Sequence, residues 1–306
     1  MSAKQLARLA AVLVVLLLLW GAAALARRRE SAPSGEGFRL PKITRSQVDT
    51  VVIARAKDTT VLARKDSTHW TVNGHPAAPN AVADLFTALG DSAAGSELVA
   101  ERKASHAGLG VDSAGARVRI TAKGKTLTDL VVGKRSSDFS GGYVRLVDQE
   151  PTYLVRGQLV EVLNRQSDDW RSHQIARVPA DSIGRIEVSR GRKSYALRRN
   201  DKRWELASGV PADSAKVGEL LTGYSSIEAS GFATPAQMDS ARFGSPDRRV
   251  RLFRRDGTAL LSLFFDSTAA GFWVRPDTSK TVYRIESWTA DRLAPADTTL
   301  RMKKAT

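Results

Sequence analysis

The sequence predicts an α+β protein: an N-terminal transmembrane helix followed by two tandem repeats of one module of antiparallel strands with short helices. Three observations predict it. A stretch from Leu9 to Ala26 carries no charge, many short segments alternate apolar and polar residues between turn signals, and similar segments recur in order, with Trp70 and Trp204 standing 134 positions apart.

The apolar stretch would rise about 27 Å as a helix, close to the ~30 Å hydrocarbon thickness of a bilayer. Val12 to Leu19 offers no polar side, so insertion is expected rather than surface binding. Residues 1–29 are read as a transmembrane anchor or signal-anchor, with the lipid bilayer as its partner. Ala24-Leu25-Ala26 matches a signal-peptidase site, but Arg27-Arg28-Arg29 makes a poor mature start and argues for an uncleaved anchor. The expected location is the bacterial inner membrane, single-pass, with the body on the periplasmic side; the inverted orientation is the alternative. Residues 30–43, which include Ser31-Ala32-Pro33-Ser34-Gly35, read as a flexible linker.

The repeat justifies the remaining elements. Val61 to Trp70 resembles Tyr195 to Trp204, and Val48 to Ile53 resembles Ile183 to Val188, both strand-like alternations. Val82, Leu85, Phe86 and Leu89 recur as Val217, Leu220, Leu221 and Tyr224, the inner stripe of a short amphipathic helix. Val118-Arg119-Ile120 then answers Val250-Arg251-Leu252, Leu130-Val131-Val132 answers Leu263-Phe264-Phe265, and Tyr143-Val144-Arg145 answers Trp273-Val274-Arg275. Gly124 and Gly257 mark a hairpin turn in each copy. The first repeat is set at residues 44–174 and the second at 175–306.

Composition narrows the function classes. Lys and Arg number 47 against 32 Asp and Glu, giving a net charge of +15, which points to polyanionic neighbours such as lipid headgroups, anionic wall polymer or nucleic acid. No helix-turn-helix, RNA-binding aromatic motif or zinc finger accompanies the charge, so nucleic acid is not expected. The absence of cysteine excludes disulfides, thiolate metal sites and cysteine nucleophiles. His69, His75, His106 and His173 do not pair at the i, i+4 spacing of a zinc hydrolase, and Gly124-Lys125-Thr126 lacks the opening glycine of a phosphate loop. The pairs Asp66-Ser67, Asp112-Ser113, Asp181-Ser182, Asp213-Ser214, Asp239-Ser240 and Asp266-Ser267 fall at turns or helix starts, where such side chains cap backbone N–H groups. Asp168-Asp169, adjacent in sequence, is read as capping rather than as a glycosidase pair. Trp70 and Trp204 are read as core anchors, with stacking on a sugar or partner the alternative. Catalytic, cofactor-binding and metal sites are therefore expected to be none. The clusters Arg248-Arg249-Arg251 and Arg254-Arg255 alternate along a strand and are the candidates for a basic binding face.

The paired tryptophan hairpins, the Leu109-Gly110 and Phe243-Gly244 turns, and Asp169-Trp170-Arg171 before the second copy together resemble the domain of unknown function 4340 family over most of residues 44–300. That resemblance implies a single-span bacterial envelope protein encoded beside ABC-transporter permeases and a gliding-motility-type auxiliary subunit. It implies no catalytic residues. The expected role is a membrane-anchored accessory or scaffold protein of an ABC-type transport complex, with an ABC permease or auxiliary subunit as protein partner. The alternative is a binding module for anionic wall polymer or lipid headgroups; a hydrolase is the third reading.

Overall fold

A computed structural model describes residues 41, 43–91, 96–201 and 203–302. The chain divides into two compact units between Arg171 and Ser172.

In the first unit β1 (Thr50–Ala54), β2 (Thr59–Arg64), β3 (Trp70–Val72) and β4 (His75–Pro76) precede α1 (Pro79–Asp91) and β5 (Ser96–Ala100). There follow α2 (His106–Leu109), β6 (Ala116–Ala122), β7 (Lys125–Arg135), β8 (Gly141–Leu146), β9 (Thr152–Arg156) and α3 (Leu159–Leu163). The strands form one antiparallel sheet in the order β4-β3-β2-β1-β6-β7-β8-β9-β5. Alternation sets its inner face: Val51 and Ile53 of β1, Val118 and Ile120 of β6, and Leu130 and Val132 of β7 are buried. Against them pack Val82, Leu85 and Leu89 of α1, Leu159 and Leu163 of α3, and the fully buried Trp170. The β6–β7 turn puts Lys123 at φ 49° and Gly124 at φ 74°, the left-handed pair that a two-residue hairpin needs.

The second unit opens with β10 (Gln174–Ala176), β11 (Arg185–Arg190), β12 (Lys193–Asn200) and β13 (Arg203–Leu206). It continues through α4 (Ser214–Ser225), β14 (Ile227–Glu228), β15 (Gly231–Phe232) and α5 (Pro235–Ser240). β16 (Arg248–Phe253), β17 (Ala259–Thr268), β18 (Gly271–Pro276), β19 (Tyr283–Ile285) and α6 (Ser287–Leu293) complete it. Its main sheet runs β13-β12-β11-β16-β17-β18-β19-β15, and β10 pairs separately with β14. Ile186, Val188, Leu197, Val250, Leu252, Leu263 and Phe265 share one core with Val217, Leu220 and Tyr224 of α4 and Leu293 of α6. Asp213 caps α4 by accepting from the N–H groups of Ala215 and Lys216.

With β4 set aside, the two sheets have the same strand order, element for element. The closing contacts recur as well. Ala77 bridges to Arg171 and the Ala78 N–H donates to the Trp170 carbonyl at 2.8 Å; Ala212 bridges to Arg301 and the Asp213 N–H donates to the Leu300 carbonyl at 2.8 Å. Glycine opens β8 and β18 for one reason. A Cβ at Gly141 would lie 2.0 Å from the Val155 carbonyl oxygen, and one at Gly271 would lie 2.3 Å from that of Ile285.

The expected fold class is corrected by this architecture, which is mostly antiparallel sheet. Short segments without clear alternation, such as Ser96–Ala100 and Gly231–Phe232, are recruited as strands because a neighbouring edge offers unpaired backbone groups. The longest helix among the described residues, α1, has 13 residues and rises about 20 Å, short of the ~30 Å hydrocarbon layer. No helix among the described residues is long and apolar enough to cross a membrane, so the expected transmembrane helix is not supported. Residues 1–29, on which that expectation rested, lie outside the described residues, as does nearly all of the 30–43 linker.

Candidate functional site

Each sheet buries one face, and the other face of the second sheet gathers arginines with aromatic rings. On β16 the buried Val250 and Leu252 send Arg249 and Arg251 to the opposite side. Register then fixes their neighbours. Arg249 lies between Ser189 of β11 and Phe264 of β17, and Phe264 is paired in turn with Arg275 of β18. Arg251 lies between Glu187 of β11 and Ser262 of β17.

The arginines stack on the rings. The Arg249 guanidinium stands 5.1 Å from the Phe264 centroid, Arg275 stands 4.7 Å from Phe243 and 5.9 Å from Phe264, and Arg185 stands 4.1 Å from Phe253. Stacking favours the cation yet leaves the guanidinium edges able to donate. Glu187 supplies the charge balance on one side, pairing with Arg251 at 2.7 Å and Arg185 at 3.4 Å. Arg249 and Arg275 have no carboxylate partner among the described residues. The Arg249 Nε is enclosed and has no hydrogen-bond partner among them either. Beside it opens a depression of about 470 Å³ lined by Glu187, Ser189, Ser194, Ala196, Arg249 and Arg251. Ser189 and Ser194 are cross-strand partners, so two hydroxyls and two guanidiniums border one space. The chemistry these groups offer is recognition of negative charge.

The first sheet treats its arginines differently. Arg117 and Arg119 project from β6, and Asp129 of β7 accepts from both: from the Nε and Nη2 of Arg117 at 2.9 and 2.8 Å, and from those of Arg119 at the same distances. The Arg117 hydrogen bond, more than any other contact, holds the Asp129 carboxyl below its ordinary range.

The structure divides the arginine cluster that the sequence pointed to. Arg248 does not join Arg249 and Arg251; it reaches the helix side, over the Phe272 ring at 4.5 Å and onto Asp291 of α6 at 2.7 Å. Arg254 and Arg255 lie in the β16–β17 turn, where Arg255 borders an open polar hollow with Arg199, Asp201 and Glu205. Phe264, Arg275, Arg185 and Glu187 were missed. The signal that could have found them is the same alternation, applied to all the strands at once.

The structure places the other candidates in the core, in caps and in turns. Trp70 and Trp204 are both buried. Asp169 accepts from the Gln166 N–H in a capping box, and Asp168 pairs with Arg171 at 3.0 Å. Asp66 accepts from the N–H groups of Thr68 and His69, which together hold its carboxyl far below the usual range. The Ser182 hydroxyl donates to the Pro179 carbonyl, and the Asp266 carboxylate, buried, accepts from the Arg242 N–H. Asp112 accepts from the Ala114 N–H, and the Ser240 hydroxyl donates to Gln237. Nε2 of His106 meets the Glu150 carbonyl at 2.7 Å, Nδ1 of His173 meets that of Ala229 at 3.0 Å, and His75 is held below its usual range by burial and then by Arg171. Among the described residues no group of three or more His, Cys, Asp or Glu could hold a metal ion.

A family model described as Domain of unknown function (DUF4340) matches residues 70–246, more than half of the chain. The chain belongs to that family. The match begins at the Trp70 hairpin, crosses the boundary between the units and stops just before β16. No curated protein and no solved structure matches.

Proposed function

We propose that the protein is an accessory or scaffold component of a bacterial envelope complex associated with an ABC-type transport system. It has no catalytic activity of its own, and its folded body works on the extracytoplasmic side by offering the outer face of the second sheet to a partner that carries negative charge. Family membership supports the accessory role through the likeness stated above, and the face supports the mode of action. The observation that carries it is the pair Arg249 and Arg275, ring-stacked and without a carboxylate among the described residues. Half-buried cations without a carboxylate, Arg249 at the border of the open depression, are stabilised by an incoming anion more than by water alone.

A photoreactive side chain installed at Ser194, at the rim of the depression, tests this in cells. The expected adduct is with an ABC permease or auxiliary subunit, and Arg249→Ala removes it. An adduct indifferent to Arg249→Ala, or none, refutes the proposal. A second reading, a module for anionic wall polymer or lipid headgroups, is favoured by the net charge of +15, which attracts any polyanionic surface. It predicts salt-sensitive binding of the protein to wall fragments or anionic vesicles in the absence of any protein partner.

A further inference from the structure

The duplication supplies an internal comparison at equivalent positions. Val118 and Ile120 on β6 correspond to Val250 and Leu252 on β16, all four buried, so Arg117 and Arg119 correspond to Arg249 and Arg251. Register fixes what each pair meets. Arg119 faces Asp129 on β7, whereas Arg251 faces Ser262 on β17. On the other side Arg119 faces Val52 of β1, whereas Arg251 faces Glu187 of β11. The first face therefore closes on itself, one aspartate taking both arginines. The second has moved its carboxylate across to β11, where Glu187 takes Arg251 and Arg185 and leaves Arg249 behind.

We infer that the second face takes a carboxylate from outside, an aspartate or glutamate side chain on an extended acidic segment of a partner protein, in the role that Asp129 fills on the first. The inference rests on the anion-binding reading above and names its ligand. A carboxylate is the anion this fold already holds at the equivalent place, and its planar pair of oxygens matches the guanidinium fork. Phe264 behind Arg249 limits where the guanidinium can swing, and the short side chains of Ser189, Ser194 and Ala196 leave room beside it. A chain of net charge +15 draws an acidic segment toward it before contact.

The test is fluorescence anisotropy of a labelled deca-glutamate peptide with the purified full chain, beside sedimentation with phosphatidylglycerol vesicles. Arg249→Ala is expected to weaken peptide binding about tenfold, while Arg254→Ala, which removes the same charge from the β16–β17 turn, changes it far less. Ser262→Asp restores the carboxylate of the first face, and is expected to weaken the peptide comparably without lowering the melting temperature. Thr258→Asp, which adds the same charge in the turn, is the control. Asp129→Ser opens the first face and raises the stoichiometry from one peptide to two. Preference for vesicles over peptide, with Arg249→Ala releasing the vesicles, overturns the carboxylate assignment and leaves the anion-binding face standing. Peptide binding that ignores both Arg249→Ala and Ser262→Asp overturns both.

Discussion

Replacing Asp129 with asparagine keeps the shape of the side chain and removes the charge that holds Arg117 and Arg119. Four hydrogen bonds of 2.8–2.9 Å converge on that carboxylate. Exposed ion pairs contribute about 0.2–1 kcal/mol and sheltered charge-assisted bonds about 1.5–3. The Asp129 side chain is 15% exposed, but those of Arg117 and Arg119 are 49% and 46% exposed, which places this three-residue cluster between those limits. The expected loss is about 2 kcal/mol in the first unit, or about 8 °C in its melting transition. The pH dependence follows from the lowered pKa. A carboxyl whose folded pKa lies below its unfolded value contributes stability that is complete above the unfolded value, near 3.8, and is lost as pH falls through the folded one. Urea unfolding of the wild type and Asp129→Asn, followed from pH 7 to pH 2.5, should therefore show a difference that is constant down to about pH 4 and shrinks below it. A difference that is absent at pH 7, or that persists unchanged at pH 2.5, refutes the reasoning.

Three further changes probe the packing. Tyr224→Phe removes a fully buried hydroxyl that donates to the Leu293 carbonyl at 2.6 Å, and should cost the second unit about 1–2 kcal/mol in urea unfolding. Gly271→Ala drives a methyl group against the Ile285 carbonyl and should cost about 2 kcal/mol or more, with loss of amide exchange protection along the β18–β19 pair. Asp213→Ala removes the cap of α4 and should lower stability by about 1 kcal/mol, which Asp213→Asn largely restores.

Much of the interior was legible because each signal was local. Val118 and Ile120 alternate with arginines, so their strand and its inner face follow from spacing alone. The Pro-Ala-Asp-Ser run at 211–214 reads as a helix start, and Asp213 caps α4, whereas the same run at 179–182 opens only a short 3-10 turn without a side-chain cap. What was not legible depends on long-range register. The Asp129 clamp needs the β6–β7 hairpin to pair with a shift between Ile120 and Thr121, and no short-range pattern reports a bulge. The arginine cluster of β16 read as one basic face, but the pleat sends Arg248 to the opposite side, where Asp291 on α6 neutralises it. The short strands β5 and β15 carry too little alternation to be seen, since edge pairing rather than side-chain burial defines them.

The guanidinium Nε–H signals of arginine report the central claim directly, because Arg249 and Arg117 are equivalent residues that differ in having a carboxylate. Titration of the full chain, labelled with 15N-arginine, with the deca-glutamate peptide should shift the Arg249 signal and leave those of Arg117 and Arg119 in place. Equal movement of Arg117 and Arg249, or a stationary Arg249 while the peptide binds, would contradict the account.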